Sequence, residues 1–278
     1  MNQAVFNSSV TMGQAQHKMD TVSDNMANLD THGYKRRDTS FADLMFQQVN
    51  NQRVGPYEEG RETPEGIRRG SGAGVAQTAI RMEQGALQET GRTWDLALTE
   101  PDYFFEVAAG DDGSRRFTRD GAFYLSPDPA NEGVNFLVDG NGENVLNADG
   151  EPVEVPATAE DGMMQVNAFG EVLQLGPDGE ETVVEQLNTV NITRPQLLES
   201  TGENLLQFPD LAELELDEAD VLEETAGAEV IQPEALEQSN VDMGQQMSDM
   251  IAAQRHYQLN ASALNMTDQM RSMIANLR

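Results

Sequence analysis

The chain has 278 residues, a formal net charge of -31, no cysteine and a mean hydropathy of -0.53. That length buries a sizeable core and points to more than one folding unit, since single cores stop growing at roughly 250 to 300 residues. Zero cysteines exclude disulfides and thiolate chemistry, no apolar run approaches the roughly 20 residues that span a bilayer, and the first thirty residues lack the apolar centre of a secretory signal peptide.

The charge is unevenly spread. Residues 1–50 carry four Lys or Arg against five Asp or Glu, and residues 236–278 carry three against four, so both ends are nearly neutral. The middle holds ten basic residues against thirty-nine acidic ones, and from Asp120 to Gln254 the only Lys or Arg is Arg194. Such a surface repels nucleic acid and anionic lipid, so neither a nucleic-acid partner nor membrane insertion is expected despite the Lys35-Arg36-Arg37 cluster.

In chain order, the first predicted element is a helix over about 3–28. Val5, Met12, Met19 and Met26 recur at one heptad position and Ala15, Val22 and Leu29 at the other, the period of a helix that shows one seam to a partner. Asp30, Thr31 and Gly33 end it, because Gly accepts the positive φ of a helix terminus. A short second helix is expected from Ser40, with Asp43 completing a Ser-x-x-Asp cap and Phe41, Leu44, Met45 and Val49 supplying an apolar side. Residues 51–75, rich in Gly, Arg and Glu, read as an extended or loop connection.

From 76 to 208 short apolar runs alternate with turn signals, the pattern of an all-β domain. Strands are predicted at 104–108, 116–125, 135–138, 164–168, 172–175 and 187–192. Asp-Gly pairs beginning at Asp112, Asp120, Asp139, Asp149 and Asp178 predict tight hairpins. Residues 209–235 form an acidic link that reads equally as loop, exposed strand or short helix. The last helix is predicted from Ser239, with Asp242 completing a second Ser-x-x-Asp cap, to about 277. Its seam runs through Met243, Met247, Met250, Gln254, Tyr257, Ala261 and Leu264, then changes phase to Met266, Met270, Met273, Ile274 and Leu277.

The expected fold is therefore α+β, with N- and C-terminal helices (1–50 plus 236–278) paired as a coiled-coil-like domain and an all-β middle domain. Heptads specify a partner without saying whose it is, so pairing within one chain and assembly between chains both follow. The fourteen methionines fit either an adaptable interface or ordinary core filler.

No catalytic residue, metal site or cofactor is indicated. His17, His32 and His256 have no His or Cys partner at ligand spacing. Asp139-x-Asn141-x-Glu143 begins like a calcium loop, yet Asn144 stands where that loop needs Gly and Gly150 where it needs a bidentate Glu, so a hairpin turn is the reading. Gly70-x-Gly72-x-Gly74 lacks the preceding strand and the third Gly of a dinucleotide fingerprint.

Two runs carry a resemblance. Ser23-Asp24-Asn25-Met26-Ala27-Asn28-Leu29-Asp30-Thr31-His32-Gly33-Tyr34-Lys35 resembles the signature of the bacterial flagellar rod and hook family. Leu236-Glu237-Gln238-Ser239-Asn240-Val241-Asp242, continued by Gln254-Arg255-x-Tyr257, is similar to that family's entry into its last helix. Gly85 to Gly91, Asp95 to Leu98, Phe117 to Phe123 and Gly202 to Leu205 resemble it in the middle.

The resemblance implies a non-enzymatic structural subunit of the flagellar basal body. It implies export by the flagellar type III apparatus, terminal helices that self-associate and contact other rod and hook subunits, and an outward β domain. The assembly residues it marks are Ser23, Asn25, Ala27, Asn28, Thr31, Gly33, Tyr34 and Lys35 at one end, and Leu236, Glu237, Ser239, Asn240, Val241, Gln254, Arg255 and Tyr257 at the other. The Gln254-Arg255-x-Tyr257-x-x-Asn260 run leans towards the distal rod. A hook subunit is the alternative, and a secreted acidic hydrolase or metal-binding module that borrowed the terminal helices is a third reading.

Overall fold

The computed structural model describes residues 2–43, 47–49, 67–69, 73–108, 115–128, 131, 133–157, 164–176, 180–202, 204–211, 215–225 and 227–276. Its α-helices are α1 (Asn2–Ala27), α2 (Glu218–Val221) and α3 (Met243–Asn276). Contacts divide the chain into two compact units. The first comprises 1–27, 37–79 and 242–278, and the second comprises 28–36 and 80–241. No helix among the described residues is long and apolar enough to cross a membrane.

In the first unit α1 and α3 pack on one another. Ala15 and Val22, seven residues apart, are buried on α1; Gln246, Ala253 and Thr267 are buried on α3 at multiples of seven. The predicted start of the last helix is corrected by four residues. Asp242 itself is the cap, its Oδ1 accepting the Gln245 N–H at 2.9 Å, and α3 begins at Met243. Ser239, four residues before the helix, has a buried hydroxyl without a partner.

The helix expected from Ser40 is a strand instead. Arg37–Asp43 pairs with Ala73–Ile80, and the Ser40 hydroxyl that would have capped a helix donates to the Gln77 carbonyl at 3.3 Å. A capping box stabilises only a local turn, whereas a partner strand pairs the N–H and C=O of every second residue along the segment and adds cross-strand side-chain contacts. Phe41 lies under the Lys18 ammonium at 5.9 Å, and Val49 belongs to the strand Gln47–Val49, paired with Ile67–Arg69. The connection expected over 51–75 thus carries strand at 67–69 and from 73 onward, while Leu44, Met45 and residues 51–66 lie outside the described residues.

The second unit centres on a six-stranded antiparallel sheet, ordered Glu199–Ser200, Leu205–Gln207, Arg116–Thr118, Tyr103–Val107, Thr189–Ile192 and Leu222–Glu224. Successive side chains point to opposite faces of a strand. Phe104 and Phe105 therefore enter different cores. Phe105 packs with Trp94, Leu96, Phe123 and Leu137, and Phe104 with Phe117, Val190, Ile192 and Val221. A sheet covered on both faces needs this doubled aromatic, and both rings are fully buried.

The single strand expected over 116–125 breaks after Thr118 and resumes at Tyr124–Pro127. Between them Gly121 approaches the Leu96 backbone, where the Leu96 N–H donates to the Gly121 carbonyl at 3.0 Å. Asp120-Gly121 is thus a close-packing point rather than a hairpin.

Hairpin loops follow another rule, Asp/Asn-x-x-Gly-Glu, at 139–143, 147–151 and 167–171. In each, one side-chain oxygen accepts two backbone N–H groups: Asp139 from Asn141 and Glu143 at 2.8 and 2.9 Å, Asn147 from Asp149 and Glu151 at 3.0 and 2.9 Å, Asn167 from Phe169 and Glu171 at 3.0 and 2.9 Å. Gly142, Gly150 and Gly170 supply the left-handed position with φ of 86°, 79° and 80°. Asp112-Gly113 and Asp178-Gly179 lie outside the described residues.

The acidic link is woven into this unit. Leu222–Glu224 adds an edge strand beside Thr189–Ile192, Ile231–Pro233 pairs with Leu96–Leu98, and Ala235–Glu237 pairs with Leu87–Glu89. Val221, Leu222, Val230 and Ile231 are buried while Glu223 and Glu229 are exposed, so a few well-spaced aliphatic residues anchor an acidic segment.

Candidate functional site

The two terminal motifs meet inside both units. In the first, Asn25 is buried at the end of α1. Its side-chain amide donates to the Arg37 carbonyl at 2.8 Å and accepts the Arg37 N–H at 2.9 Å, as a neighbouring strand would, and it also donates to Gln246 of α3 at 3.2 Å. One amide therefore ties α1 to the following strand and to the last helix. Asn28 accepts the Thr31 hydroxyl at 3.2 Å in the turn that follows, whereas Ser23 and Ala27 are exposed.

In the second unit Gly33, Tyr34 and Lys35 are buried, as are Leu236, Glu237 and Val241. Gly33 has φ of 67°, its N–H donates to the Glu237 carbonyl at 2.8 Å, and a Cβ there would lie 2.5 Å from the Arg119 carbonyl carbon. Asn240 accepts the Arg36 N–H at 2.7 Å and donates to the carbonyls of Arg81 and Glu83 at 2.9 and 2.8 Å.

The centre of this arrangement is ionic. Glu237 Oε1 accepts the Lys35 ammonium at 2.6 Å and the Gly85 N–H at 2.8 Å, and Oε2 accepts Arg119 Nε at 2.9 Å. Arg119 Nη2 also lies 2.9 Å from that oxygen but without hydrogen-bond alignment. Lys35 donates further to the Glu83 carbonyl at 3.0 Å, and Arg119 Nη1 to the carbonyls of Glu100 and Tyr103 at 3.0 and 2.9 Å. Arg119 is not one of the assembly residues that the terminal motifs mark, although it lies in the Phe117–Phe123 run that resembles the family. A second signal is that it stands last before a stretch of the chain almost free of Lys and Arg.

Burial, then the neighbouring Arg119 charge, pushes the Lys35 ammonium down from its usual 10.5 to about 8, against the pull of Glu237. Burial also lowers Arg119 and raises Asp120. For Lys35 the sign is unusual for an ion-paired lysine. Between pH 8 and 10.5 the unfolded chain keeps a proton that the folded chain has released, so Lys35 makes stability rise with pH across that window. Urea titrations of wild type should show this rise, and Lys35→Met should remove it; equal slopes in the two proteins would contradict the assignment.

The remaining sequence-marked residues lie on the helices. Val22 is buried, Met12, Met19, Met26, Met250, Tyr257 and Leu264 are half-buried, and Gln254 and Arg255 are exposed. Met243 and Met247 are 44% and 49% exposed, and with Ile251 at 48% they make a row at four-residue intervals. Leu259, Met266, Met270, Met273 and Ile274 are exposed further along α3. The buried register through Gln246, Ala253 and Thr267 thus shares Met250, Tyr257 and Leu264 with the expected seam but not Met243 or Met247.

Asp139-x-Asn141-x-Glu143 forms the hairpin turn read from its sequence, with Asp139 Oδ1 closing the loop. Among the described residues no group of three or more His, Cys, Asp or Glu could hold a metal ion.

Comparison with known proteins agrees with this geometry. Residues 7–35 match the family model "Flagella basal body rod protein", and residues 232–277 match "Flagellar basal body rod FlgEFG protein C-terminal". The chain is 35% identical to the flagellar hook-basal body complex protein FlhP of Bacillus subtilis (strain 168), with all of both chains covered. It is 30% identical to the flagellar basal-body rod protein FlgG of Borreliella burgdorferi, over 100% of this chain and 99% of that one. With FlgG of Bacillus subtilis it shares 28% identity over 96% of each chain. The chain belongs to the flagellar basal-body rod and hook family.

As a flagellar rod-family protein it is a structural subunit of the basal body, outside the cytoplasmic membrane, and it associates with other basal-body components. The two matched segments of this rod-family chain contain Lys35 and Glu237 respectively, so the ion pair joins them. Arg119, its third member, belongs to neither segment.

Proposed function

We propose that this subunit is distal-rod-like and polymerises axially through α1 and α3, whose pairing is coiled-coil-like, to build a torque-transmitting rod. The observation that carries the reading is the exposed row Met243, Met247 and Ile251, continued by Leu259, Met266 and Met270, on a helix whose other face is already buried. A single chain has no use for a second apolar face on α3, whereas neighbouring copies can cover it. The near-neutral ends permit many copies to crowd together without the self-repulsion that the acidic middle would cause. A head-to-tail contact that does not close extends as a helical tube.

In this reading the subunit has no catalytic activity, and it leaves the cytoplasm through the flagellar type III apparatus. Hook-basal bodies purified from the source cells, identified by mass spectrometry and labelled with antibody against residues 80–241, provide the test. Label on the straight segment below the hook is the expected result. Label along the curved segment would make the protein a hook subunit, and absence from intact structures would overturn the axial role.

A further inference from the structure

Lys35, Arg119 and Glu237 form an unbalanced group, two cations on one carboxylate, with side-chain exposures of 4%, 1% and 1%. Removing charges from water is costly unless they are paired and hydrogen-bonded. Apart from Glu237, the groups in direct contact with these cations are neutral: the Glu83 carbonyl for Lys35, and the Glu100, Pro101 and Tyr103 carbonyls and the Phe104 ring for Arg119. The Asp102 carboxylate also acts on Arg119 through its charge, so the deficit of negative charge is sharpest at Lys35. The group is also very non-local. Glu237 lies 202 residues from Lys35 and 118 from Arg119. A chain is made amino end first, so both cations are present long before the carboxylate that neutralises them.

Arg119 lies directly after the strand Arg116–Thr118 in the middle of the six-stranded sheet, and its ring neighbour Phe104 belongs to the second core. Desolvating Arg119 is therefore part of closing that sheet. We propose that Glu237 is a completion latch: the β unit reaches its packed state only when the C-terminal motif inserts this carboxylate between Lys35 and Arg119. A chain lacking that segment, or still emerging, is held open by the cost of burying its two cations without the carboxylate. The latch goes beyond the axial-subunit reading and stands independently of it, because it concerns the single chain.

Hydrogen exchange on the full-length protein tests it with three variants: Glu237→Gln, Lys35→Met, and the two combined. Glu237→Gln should speed exchange by about two to three orders of magnitude not only near residue 237 but also in the strands 103–107, 116–118 and 189–192. Lys35→Met alone leaves one cation facing one carboxylate and should change those strands little. The combined variant, with one buried cation instead of two, should recover at least about tenfold of the lost protection. If Glu237→Gln fails to fold, the combined variant should still fold, and its failure to do so would overturn the latch. Faster exchange confined to residues 83–88 and 235–238, or a combined variant as open as Glu237→Gln, would likewise overturn it and leave an ordinary local contact.

Discussion

Gly121→Ala is expected to unfold the β unit. A Cβ at residue 121 would lie 1.6 Å from the Leu96 carbonyl oxygen and 2.7 Å from its carbonyl carbon. Both atoms are backbone, so no rotamer change relieves the clash. The opposing strand Leu96–Leu98 is buried along its length and paired on its other side with Ile231–Pro233, which leaves it no room to retreat. Moving either segment would also break the Leu96 to Gly121 hydrogen bond and displace Phe123 from the first core. The loss should exceed about 4 kcal/mol, a large share of the roughly 5–15 kcal/mol that holds a typical domain together. Gly140→Ala is the matched control, because nothing lies within 4 Å of a Cβ there and its φ is not positive. Urea unfolding of the two variants separates them. Equal midpoints would show that the close approach at residue 121 is easily relieved.

Replacing Met247 and Ile251 by Asp should abolish assembly while leaving the subunit folded. Each side chain is about half exposed, 49% and 48%, on the face of α3 turned away from the buried register. Exposed substitutions of this kind usually move stability by no more than about 0.5 kcal/mol. In an assembled rod the same positions would be covered, and a buried unpaired carboxylate costs several kcal/mol at every copy. Motility and rod length in cells carrying the double variant should fall to the level of a strain lacking the gene, with unchanged circular dichroism of the purified chain. Normal rods would remove this row from the interface, and loss of helix signal would return the two residues to the intramolecular core.

Much of the architecture was legible because it is local. The heptad positions of α1 follow from a period of 3.6 residues, and Ala15 and Val22 are buried where that period puts them. The β middle was legible from its short apolar runs and turn residues, although its loops obey the spacing Asp/Asn-x-x-Gly-Glu rather than adjacent Asp-Gly pairs. That signal was present in the sequence three times, and the side-chain oxygen that makes it work is three residues before the glycine. Ser40 misled because a cap signature describes only what a segment would do alone, and the strand Ala73–Ile80 supplied a better partner. Ser239 misled for a related reason, since Asp242 offered its own carboxylate at the true start of α3.

The sequence by itself determined the α+β class, the nearly neutral ends flanking an acidic middle, and the two terminal motifs that identify the family, because each is written in neighbouring residues. Only the tertiary structure decided that Lys35 and Glu237 are partners, that Arg119 completes them, and that the acidic link belongs to the β unit. Which face of α3 is buried was settled there as well. Those outcomes depend on which distant charges and strands share one desolvated space, and desolvation is a property of the packed chain rather than of any stretch of it.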